Sequence, residues 1–159
     1  MLSVVSMDGF HLSNQVLHAL GRSERKGAPD TFDVGGFASL LHRIKRETAN
    51  SIYYPIFDRN IEESISAQGE VLPSAKLVVV EGNYLCYNQD GWEALAPTFD
   101  ETWYLQVNED SRIDRLIDRH VHFGKSLDAA NAWARGTDER NAQLIAATAT
   151  RADFIILLD

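Results

Sequence analysis

Four consecutive apolar residues at positions 77–80, followed at once by Glu81-Gly82-Asn83, constrain the fold of this chain more than any other feature. A strand with one solvated face alternates apolar and polar residues, whereas a short unbroken apolar run predicts a strand buried on both faces. Such strands occur in parallel sheets that helices cover. The run therefore predicts an α/β fold built on a parallel sheet.

The rest of the chain continues a pattern of strands alternating with helices. Further strands are predicted at residues 3–6, 102–107 and 152–158, the last of them buried, and Pro55 makes 52–57 an edge strand or extended loop. Residues 12–31 are polar and turn-rich, and predict a long loop that contains one helical turn. Helices are predicted to start at four N-capping side chains: Asp33, Asn108, Ser126 and Thr137. The last two helices are predicted to span 127–135 and 138–150. This alternation and the length of 159 residues favour one α/β domain.

The composition excludes several classes of protein. Lys and Arg number 15 against 23 Asp and Glu, and the formal net charge of −8 argues against a protein that coats nucleic acid. The single cysteine, Cys86, allows no internal disulfide. No apolar run approaches the roughly 20 residues of a membrane helix, and no secretory signal is recognisable. We expect a soluble, cytoplasmic protein without nucleic-acid or membrane partners.

Two carboxylates follow predicted strands directly: Asp8 after residues 3–6, and Glu81 after residues 77–80. Ligands of open α/β sheets collect outside the carboxyl ends of the strands. A carboxylate there can accept a substrate proton or hold Mg²⁺. For Asp8 alone, a turn aspartate that bonds its own backbone is the plainer alternative, and the Gly82 beside Glu81 adds little support for Glu81 alone. Two such residues on separate strands favour a site.

Two other segments are candidates for ligand binding. Arg22, Arg25 and Lys26 precede a Gly27-Ala28-Pro29 turn and either hold a phosphate or carboxylate or form a solvated charged loop. An aromatic and polar segment either walls a small-molecule pocket or packs as an ordinary sheet edge: Tyr53, Tyr54, Phe57, Asp58 and Arg59.

The helix after Asn108 carries an arginine face. Arg112, Arg115 and Arg119 share it by their spacing, and the interspersed Asp114 and Asp118 predict surface ion pairs. His120 and His122 point to different sides of a helix, so no metal site is expected there.

Gly124-Lys125-Ser126 has the ending of a Walker A loop, GxxxxGK[ST]. Arg119 stands where the first glycine belongs, and a helix precedes the motif instead of a strand. We interpret this match as a coincidence and not as a Walker A loop.

Several short motifs follow one another along the chain: Asp8-Gly9-Phe10-His11, Arg25-Lys26-Gly27-Ala28-Pro29, Thr31-Phe32-Asp33, Tyr54-Pro55, Phe57-Asp58-Arg59, Glu81-Gly82-Asn83-Tyr84 and Arg119-His120. In this order and spacing they resemble the uridine kinase, phosphoribulokinase and bacterial pantothenate kinase superfamily of P-loop phosphotransferases. The resemblance covers the chain from Val4 to the last strand, and is strongest to a bacterial subgroup of nucleoside/nucleotide kinase family proteins, some linked by name to fructose uptake.

The resemblance implies a small-molecule kinase that uses ATP and Mg²⁺. Asp8 matches the carboxylate that takes the acceptor hydroxyl's proton near Mg²⁺, and Glu81 matches a second acidic residue beside the metal. Arg119 and Lys125 match cations of a lid at about 119–136 that reach the transferring phosphate. The implied acceptor-binding residues are His11, Asn14, Arg25, Lys26, Phe32, Asp33, Tyr54, Phe57, Asp58, Arg59, Asn83, Tyr84 and His120.

The chain departs from this family at its start. The family carries its Walker A loop before the strand that ends in Asp8, and here residues 1–6 alone precede Asp8. The resemblance therefore implies a P-loop NTPase-like sheet that lacks its first strand, Walker A loop and first helix. That strand is central in the family, between the strands matching 77–80 and 102–107, so we expect these two strands to close up or leave a groove.

The functional hypotheses follow from this departure. The parent protein would phosphorylate a hydroxyl of a nucleoside, a sugar or a pantothenate-like acceptor, and Arg25-Lys26-Gly27 looks more like the pantothenate kinase version. The 159-residue chain itself is expected to be inactive. Alternatives are a non-catalytic small-molecule-binding module that has lost nucleotide binding, or a gene remnant. The resemblance leaves open whether the protein forms a homodimer.

Overall fold

The computed structural model describes residues 1–124 and 126–158, which form two compact units, Met1–Phe99 and Asp100–Asp159. Within this described part, no helix combines the length and apolar character that a membrane crossing requires. The first unit contains β1 (Leu2–Ser6), α1 (Asn14–Ala19), α2 (Val34–Arg46), β2 (Ile52–Asp58), β3 (Glu63–Val71) and β4 (Leu77–Glu81). The second contains β5 (Trp103–Val107), α3 (Glu109–His122), α4 (Leu127–Ala134), α5 (Thr137–Ala146) and β6 (Phe154–Leu158).

Strands β1 and β4 form a parallel pair whose register places Ser6 opposite Glu81. Val5 is fully buried on one face of this pair. The expectation that 77–80 is buried on both faces is wrong, because Leu77 is 59% and Val79 is 42% exposed. These two side chains share a face with Leu2 and Val4 by register, and Leu2 and Val4 are likewise 56% and 55% exposed.

Strands β2 and β3 form an antiparallel hairpin, and β3 was not anticipated from the sequence. Its residues, ESISAQGEV, alternate only weakly between apolar and polar, so the period-2 signal of a strand is poor. The ladder shifts register between Tyr54 and Ile56, around Pro55. A proline cannot donate to a ladder, and the prediction of an edge strand at this position is confirmed.

Helix α2 supplies much of the apolar core of the first unit. The predicted cap is present, because the Asp33 carboxylate accepts a hydrogen bond from the Gly36 N–H at 2.8 Å. Phe37, Leu40 and Leu41 lie on the buried face. Phe37 packs against Phe10 and Trp92, with ring centroids 4.9 and 6.5 Å away. Each such side chain contributes about 1.5–3 kcal/mol when fully buried.

The second unit pairs β5 with β6 in parallel, Trp103 opposite Phe154. Asn108 and Ser126 cap α3 and α4 as predicted. Two expectations are corrected. Strand β6 is not buried, since Leu157 is 74% exposed, and α5 begins one residue early and ends at Ala146, with a separate 3₁₀ turn at Ala149–Arg151. Where one parallel sheet was predicted, the described residues form three two-stranded sheets: the parallel pairs β1–β4 and β5–β6 and the antiparallel hairpin β2–β3.

Asp153 fastens the start of β6 to Thr102. Its carboxylate accepts hydrogen bonds from the Thr102 hydroxyl and the Thr102 N–H, both at 2.8 Å, and these bonds hold the pKa of Asp153 below its ordinary value. A lowered carboxyl pKa stabilises the fold above the unfolded-state pKa of about 3.9, and this contribution is lost as the pH falls through the folded-state value.

We therefore expect Asp153→Asn to lower the free energy of unfolding at neutral pH, with the difference from the parent protein shrinking below about pH 4. Urea unfolding of both proteins across this range measures the difference directly. Asp114 is exposed on α3, and Asp114→Asn is the control. For this variant, the difference in unfolding free energy from the parent protein should not shrink at low pH. A difference that stays constant with pH for Asp153→Asn would contradict the expected contribution.

Candidate functional site

Asp8 lies on a 3₁₀ turn, Met7–Phe10, that directly follows β1. Its N–H donates to the Ser6 hydroxyl at 3.2 Å, which caps the turn. The turn packs closely against β2: a Cβ at Gly9 would lie 1.9 Å from the Pro55 carbonyl oxygen. A Cβ at Gly82 would likewise lie 2.5 Å from Met7 Cβ. The two glycines let β2 and the end of β4 approach the turn that carries Asp8.

Glu81 is the last residue of β4 and is exposed. Because Ser6 is its register partner, Asp8 and Glu81 emerge at the carboxyl end of the same parallel pair, as their positions after strands predicted. No group of three or more His, Cys, Asp or Glu side chains suited to a metal occurs in the described ranges. Mg²⁺ is commonly held by one or two carboxylates plus phosphates and water, so this pair fits that ion.

Arg59 binds the Asp8 carboxylate, with Nη2 2.8 Å from Oδ2. The arginine stands where the β2–β3 hairpin turns, and its Cζ lies 5.9 Å from the centre of the Phe57 ring. Both side chains of the ion pair are partly exposed, so the pair contributes no more than about 1 kcal/mol to stability. Only one carboxylate oxygen is engaged, and no described residue holds Oδ1.

His11 follows the same turn, and its Nδ1 donates to the Asp8 main-chain oxygen at 2.8 Å. Its ring lies between Phe32 and Phe57, with centroids 4.1 and 4.7 Å away. Burial is the main cause that lowers the pKa of His11, helped by the charges of Lys26 and Arg59 and opposed by the bond to Asp8 and by its charge. His11 and Phe57 thus stand beside the Asp8 turn.

The basic loop is anchored by internal partners. Lys26 Nζ donates to Asn14 Oδ1 at 2.7 Å and to the Glu62 carbonyl oxygen, and lies 5.1 Å from the Phe57 ring centre. Burial lowers the pKa of Lys26, against the charges of Glu62 and Glu63. Glu63 Oε1 accepts a hydrogen bond from the Asn14 N–H at 3.0 Å, in the first turn of α1. Glu62 and Glu63 were missed from the sequence, because neither a main-chain carbonyl nor such a helix-end contact leaves a motif.

Asp30 binds the other two cations of this loop. Arg25 Nη2 lies 2.6 Å and Arg22 Nε 3.3 Å from Asp30 Oδ2, and Arg22 also donates to the Asp30 carbonyl at 2.7 Å. All three basic residues therefore have protein partners, which differs from a loop whose charges are simply solvated, and the anion site stays a prediction.

Three of the aromatic residues assigned to the acceptor are buried in the core. Phe32 and Tyr84 are 7% and 1% exposed, and the Tyr84 hydroxyl donates to the Gly27 carbonyl at 2.6 Å. Tyr54 is 7% exposed and donates to the Val4 carbonyl at 2.9 Å. Its ring lies over Gly69, where a Cβ would come within 2.4 Å of it. Within this structure, both tyrosine hydroxyls are bound to main-chain carbonyls.

Tyr54→Phe separates a structural role from acceptor binding. We expect a loss of about 1 kcal/mol in the free energy of unfolding, because the Val4 carbonyl loses its partner. The KM for the acceptor should not change. Urea denaturation and initial-rate kinetics measure the two quantities, and Tyr53→Phe, at a 57% exposed position, is the control for stability. A raised KM with unchanged stability would return Tyr54 to the acceptor site.

The remaining assigned residues lie at several places. In the first unit, Asp33 caps α2, Asp58 Oδ1 accepts from the Asn60 N–H at 2.8 Å, and Asn83 is exposed after β4. In the second unit, Arg119 and His120 lie in the last turns of α3. Lys125 lies outside the described residues.

Arg112, one of the three α3 arginines, forms ion pairs with partners other than the predicted ones. Arg112 binds Glu109 on its own helix and Glu139 on α5, each at 2.6 Å. The expected Asp114 and Asp118 are not the partners that hold it. The contact with Glu139 links two helices, which spacing along one helix cannot predict.

Comparison with known proteins gives a consistent result. An "ATP-dependent kinase-like protein notR'" of Aspergillus versicolor is 35% identical over 145 residues, 86% of this chain and 84% of the relative. A Schizosaccharomyces pombe protein named provisionally as a uridine kinase, C227.14, is 31% identical over 128 residues, 78% of this chain. The chain spans 54% of that relative's length. No family model matches the chain.

Among solved structures, a Silicibacter sp. TM1040 protein named provisionally as a fructose transport system kinase superposes with a TM-score of 0.90. It is 39% identical, and the match covers 98% of this chain and 74% of that protein. The likeness therefore extends over both described units.

Proposed function

Because this chain belongs to the P-loop kinase family, we propose that it carries the acceptor-binding and proton-accepting part of an ATP-dependent small-molecule kinase. The acceptor is a hydroxyl of a nucleoside, a sugar or a pantothenate-like compound. One observation carries the proposal: the register of β1 and β4 brings Asp8 and Glu81 to one end of a parallel pair. Open α/β sheets bind their ligands at this end.

The chemistry assigned to Asp8 is that of a general base. As the acceptor oxygen bonds to the γ-phosphorus of ATP, the bond from that phosphorus to the β,γ-bridging oxygen breaks, ADP leaves and the hydroxyl proton passes to Asp8. Oδ1 is the free oxygen for this proton, while Arg59 holds Oδ2 at 2.8 Å. His11 and Phe57 lie beside the base and line the acceptor side.

Phosphoryl transfer depends on positioning and on neutralising charge more than on covalent help. Asp8 and Glu81 are the residues that would hold Mg²⁺, which, when bound, offsets negative charge on the phosphates. Arg119 and Lys125 are proposed as the lid cations for the transferring phosphate, on the support of the family motif at Arg119-His120. An arginine in that role is worth about 10³–10⁵ in rate.

The cradle for the ATP phosphates is proposed to be a Walker A loop that these 159 residues do not contain. The sequence has no GxxxxGK[ST], since the Gly124-Lys125 pair is preceded by Arg119 at the position of the first glycine. The 159-residue chain by itself is therefore expected to show no ATP-dependent phosphorylation. A non-catalytic binding module would also show no phosphorylation. The two proposals differ in what they predict for the protein from the complete natural reading frame, which transfers phosphate only if it is a kinase.

The test is a transfer assay with γ-labelled ATP and Mg²⁺ on uridine, D-fructose and pantothenate. The protein from the complete reading frame is compared with the 159-residue chain. Labelled product from the former and none from the latter supports the proposal. If the complete protein binds an acceptor in calorimetry without transferring phosphate, the kinase proposal fails and the binding module is favoured.

A further inference from the structure

Arg112 joins two helices of the second unit. Its Nε and Nη2 donate to the two carboxylate oxygens of Glu109, at 3.0 and 2.6 Å, and Nη2 also donates to Glu139 Oε2 at 2.6 Å. Glu109 stands on the same helix as Arg112, α3, whereas Glu139 stands on α5. Two carboxylates therefore hold one guanidinium group, and the second of them ties α3 to α5.

The contact with Glu139 is the better shielded of the two. The side chains of Arg112 and Glu139 are 26% and 31% exposed, against 61% for Glu109. The other carboxylate oxygen of Glu139 accepts a hydrogen bond from Gln143 Nε2 at 3.3 Å, so each of its oxygens has a partner. Because a partly buried ion pair is screened less than an exposed one, Glu139 holds Arg112 more strongly than Glu109 does.

Arg112 and Glu139 lie on either side of the proposed lid at about 119–136. They are 27 positions apart in the chain, with Arg112 before the lid and Glu139 after it. Between them, α4 packs against both α3 and α5, and its Ala130 and Ala134 are fully buried. The ion pair thus connects the two ends of the segment that contains α4.

Arg119 lies on the same helix as Arg112, in its last turns. A spacing of seven residues places the two side chains on one face of a helix, about 10 Å apart along its axis. An ion pair that fixes Arg112 relative to α5 therefore also limits how far the end of α3 that carries Arg119 can move.

We propose that Glu139 is a positioning residue, which acts through Arg112 to hold the Arg119 end of α3 in place for phosphoryl transfer. This inference rests on the proposed function, in which Arg119 is a lid cation for the transferring phosphate. Arg112 is already bound by two carboxylates, so it serves as the anchor of the helix and not as the cation that meets the phosphate. Position matters here, because a displacement of about 1 Å can cost about 10² in rate.

The chain offers a matched pair of substitutions around one arginine. Glu139→Gln and Glu109→Gln each replace a carboxylate bound to Arg112 with an amide of the same shape, but only the first changes the contact between α3 and α5. In the protein from the complete reading frame, we expect Glu139→Gln to lower kcat roughly 5- to 20-fold with the acceptor KM unchanged. Glu109→Gln should leave kcat near that of the parent protein, and an equal loss in both variants would contradict the inference.

A second background separates positioning from a general loss of stability. Once Arg119 is replaced by alanine, a residue that acts through Arg119 has nothing left to position. Glu139→Gln should therefore lower kcat no further in the Arg119→Ala protein than Arg119→Ala does alone. A purely structural role would lower kcat by the same factor in both backgrounds, and that result would overturn the inference.

Hydrogen exchange on the same proteins tests the ion pair without any catalysis. Amides of residues 119–136 should exchange faster in Glu139→Gln than in Glu109→Gln or the parent protein, while amides of β1 and β4 should not change. Unchanged exchange in the lid overturns the inference, and so does faster exchange with an unchanged kcat; both leave the proposed function standing. If the complete parent protein transfers no phosphate, the proposed function fails and the positioning role fails with it. Should Glu139→Gln not fold, Glu139→Asp keeps the charge but shortens the reach to Arg112, and the same results are expected of it.

Discussion

Replacing Asp8 with asparagine is expected to lower kcat for phosphoryl transfer by about 10²- to 10⁴-fold, because an amide cannot take the acceptor's proton. Asparagine has nearly the same shape, and both local contacts of Asp8 that hold the turn run through its main chain, to Ser6 and to His11. The turn should therefore persist. Affinity for ATP measured without Mg²⁺ should change little.

The measurement is initial-rate kinetics on the protein from the complete reading frame, with the acceptor that the transfer assay identifies. Asp90→Asn is a matched control, because Asp90 is an exposed residue at φ 58°, a conformation that asparagine tolerates well. An unchanged kcat in Asp8→Asn would remove Asp8 from the role of base. The loss of the Arg59 ion pair adds no more than about 1 kcal/mol to any change in stability.

Gly9→Ala should be the most disruptive small substitution at the site. The added methyl would lie 1.9 Å from the Pro55 carbonyl oxygen and 2.7 Å from its carbon, and backbone atoms of a paired strand cannot rotate aside. We expect the free energy of unfolding to fall by about 3 kcal/mol or more, at the upper end for overpacking. Urea denaturation monitored by tryptophan fluorescence measures the change.

Gly35→Ala is the matched control for this substitution. Gly35 lies in α2, where the new methyl would come no closer than 3.8 Å to a neighbouring atom, Asp33 Oδ1. Alanine is favoured over glycine in a helix by about 0.5–1 kcal/mol, so this variant should be neutral or more stable. If Gly9→Ala were as stable as Gly35→Ala, the close approach of the Asp8 turn to β2 would not exist in solution.

Both results bear on the choice between an enzyme and a binding module. A module that only binds its ligand needs the rigid turn, and it should be sensitive to Gly9→Ala. It has no use for a base, so Asp8→Asn would leave its ligand binding intact. The two substitutions therefore report on architecture and on chemistry separately.

Local features of the fold were predictable from the sequence. Capping by Asp33, Asn108 and Ser126 depends on a side chain and a main-chain N–H a few residues away, and all three caps are present. The strand with Pro55 is an edge strand for an equally local reason. Strand β3 was missed because its residues carry little apolar periodicity, and pairing with β2 across the turn is what makes it a strand.

Burial was predicted less well than secondary structure. The apolar run at 77–80 is a strand, as expected, yet Leu77 and Val79 are exposed. An unbroken apolar run shows that a strand can be buried on both faces. Whether each face is buried depends on which other elements pack against it, and the run does not contain that information. The burial of Tyr54 and Tyr84 was not predicted either: their rings lie in the core, and their hydroxyls donate to the main-chain carbonyls of Val4 and Gly27.

The sequence by itself determined where the chemistry-bearing carboxylates stand, because Asp8 and Glu81 each follow a strand whose pattern is legible from a few neighbouring residues. Only the tertiary structure decided what surrounds them. The strand register places Ser6 opposite Glu81, and Arg59 forms an ion pair with Asp8; both contacts join residues far apart in the chain. The hydrogen bond from His11 Nδ1 to the Asp8 carbonyl depends on the conformation of the turn between them. Such pairings depend on how the hairpin and the turn pack in three dimensions, which no local pattern of side chains encodes.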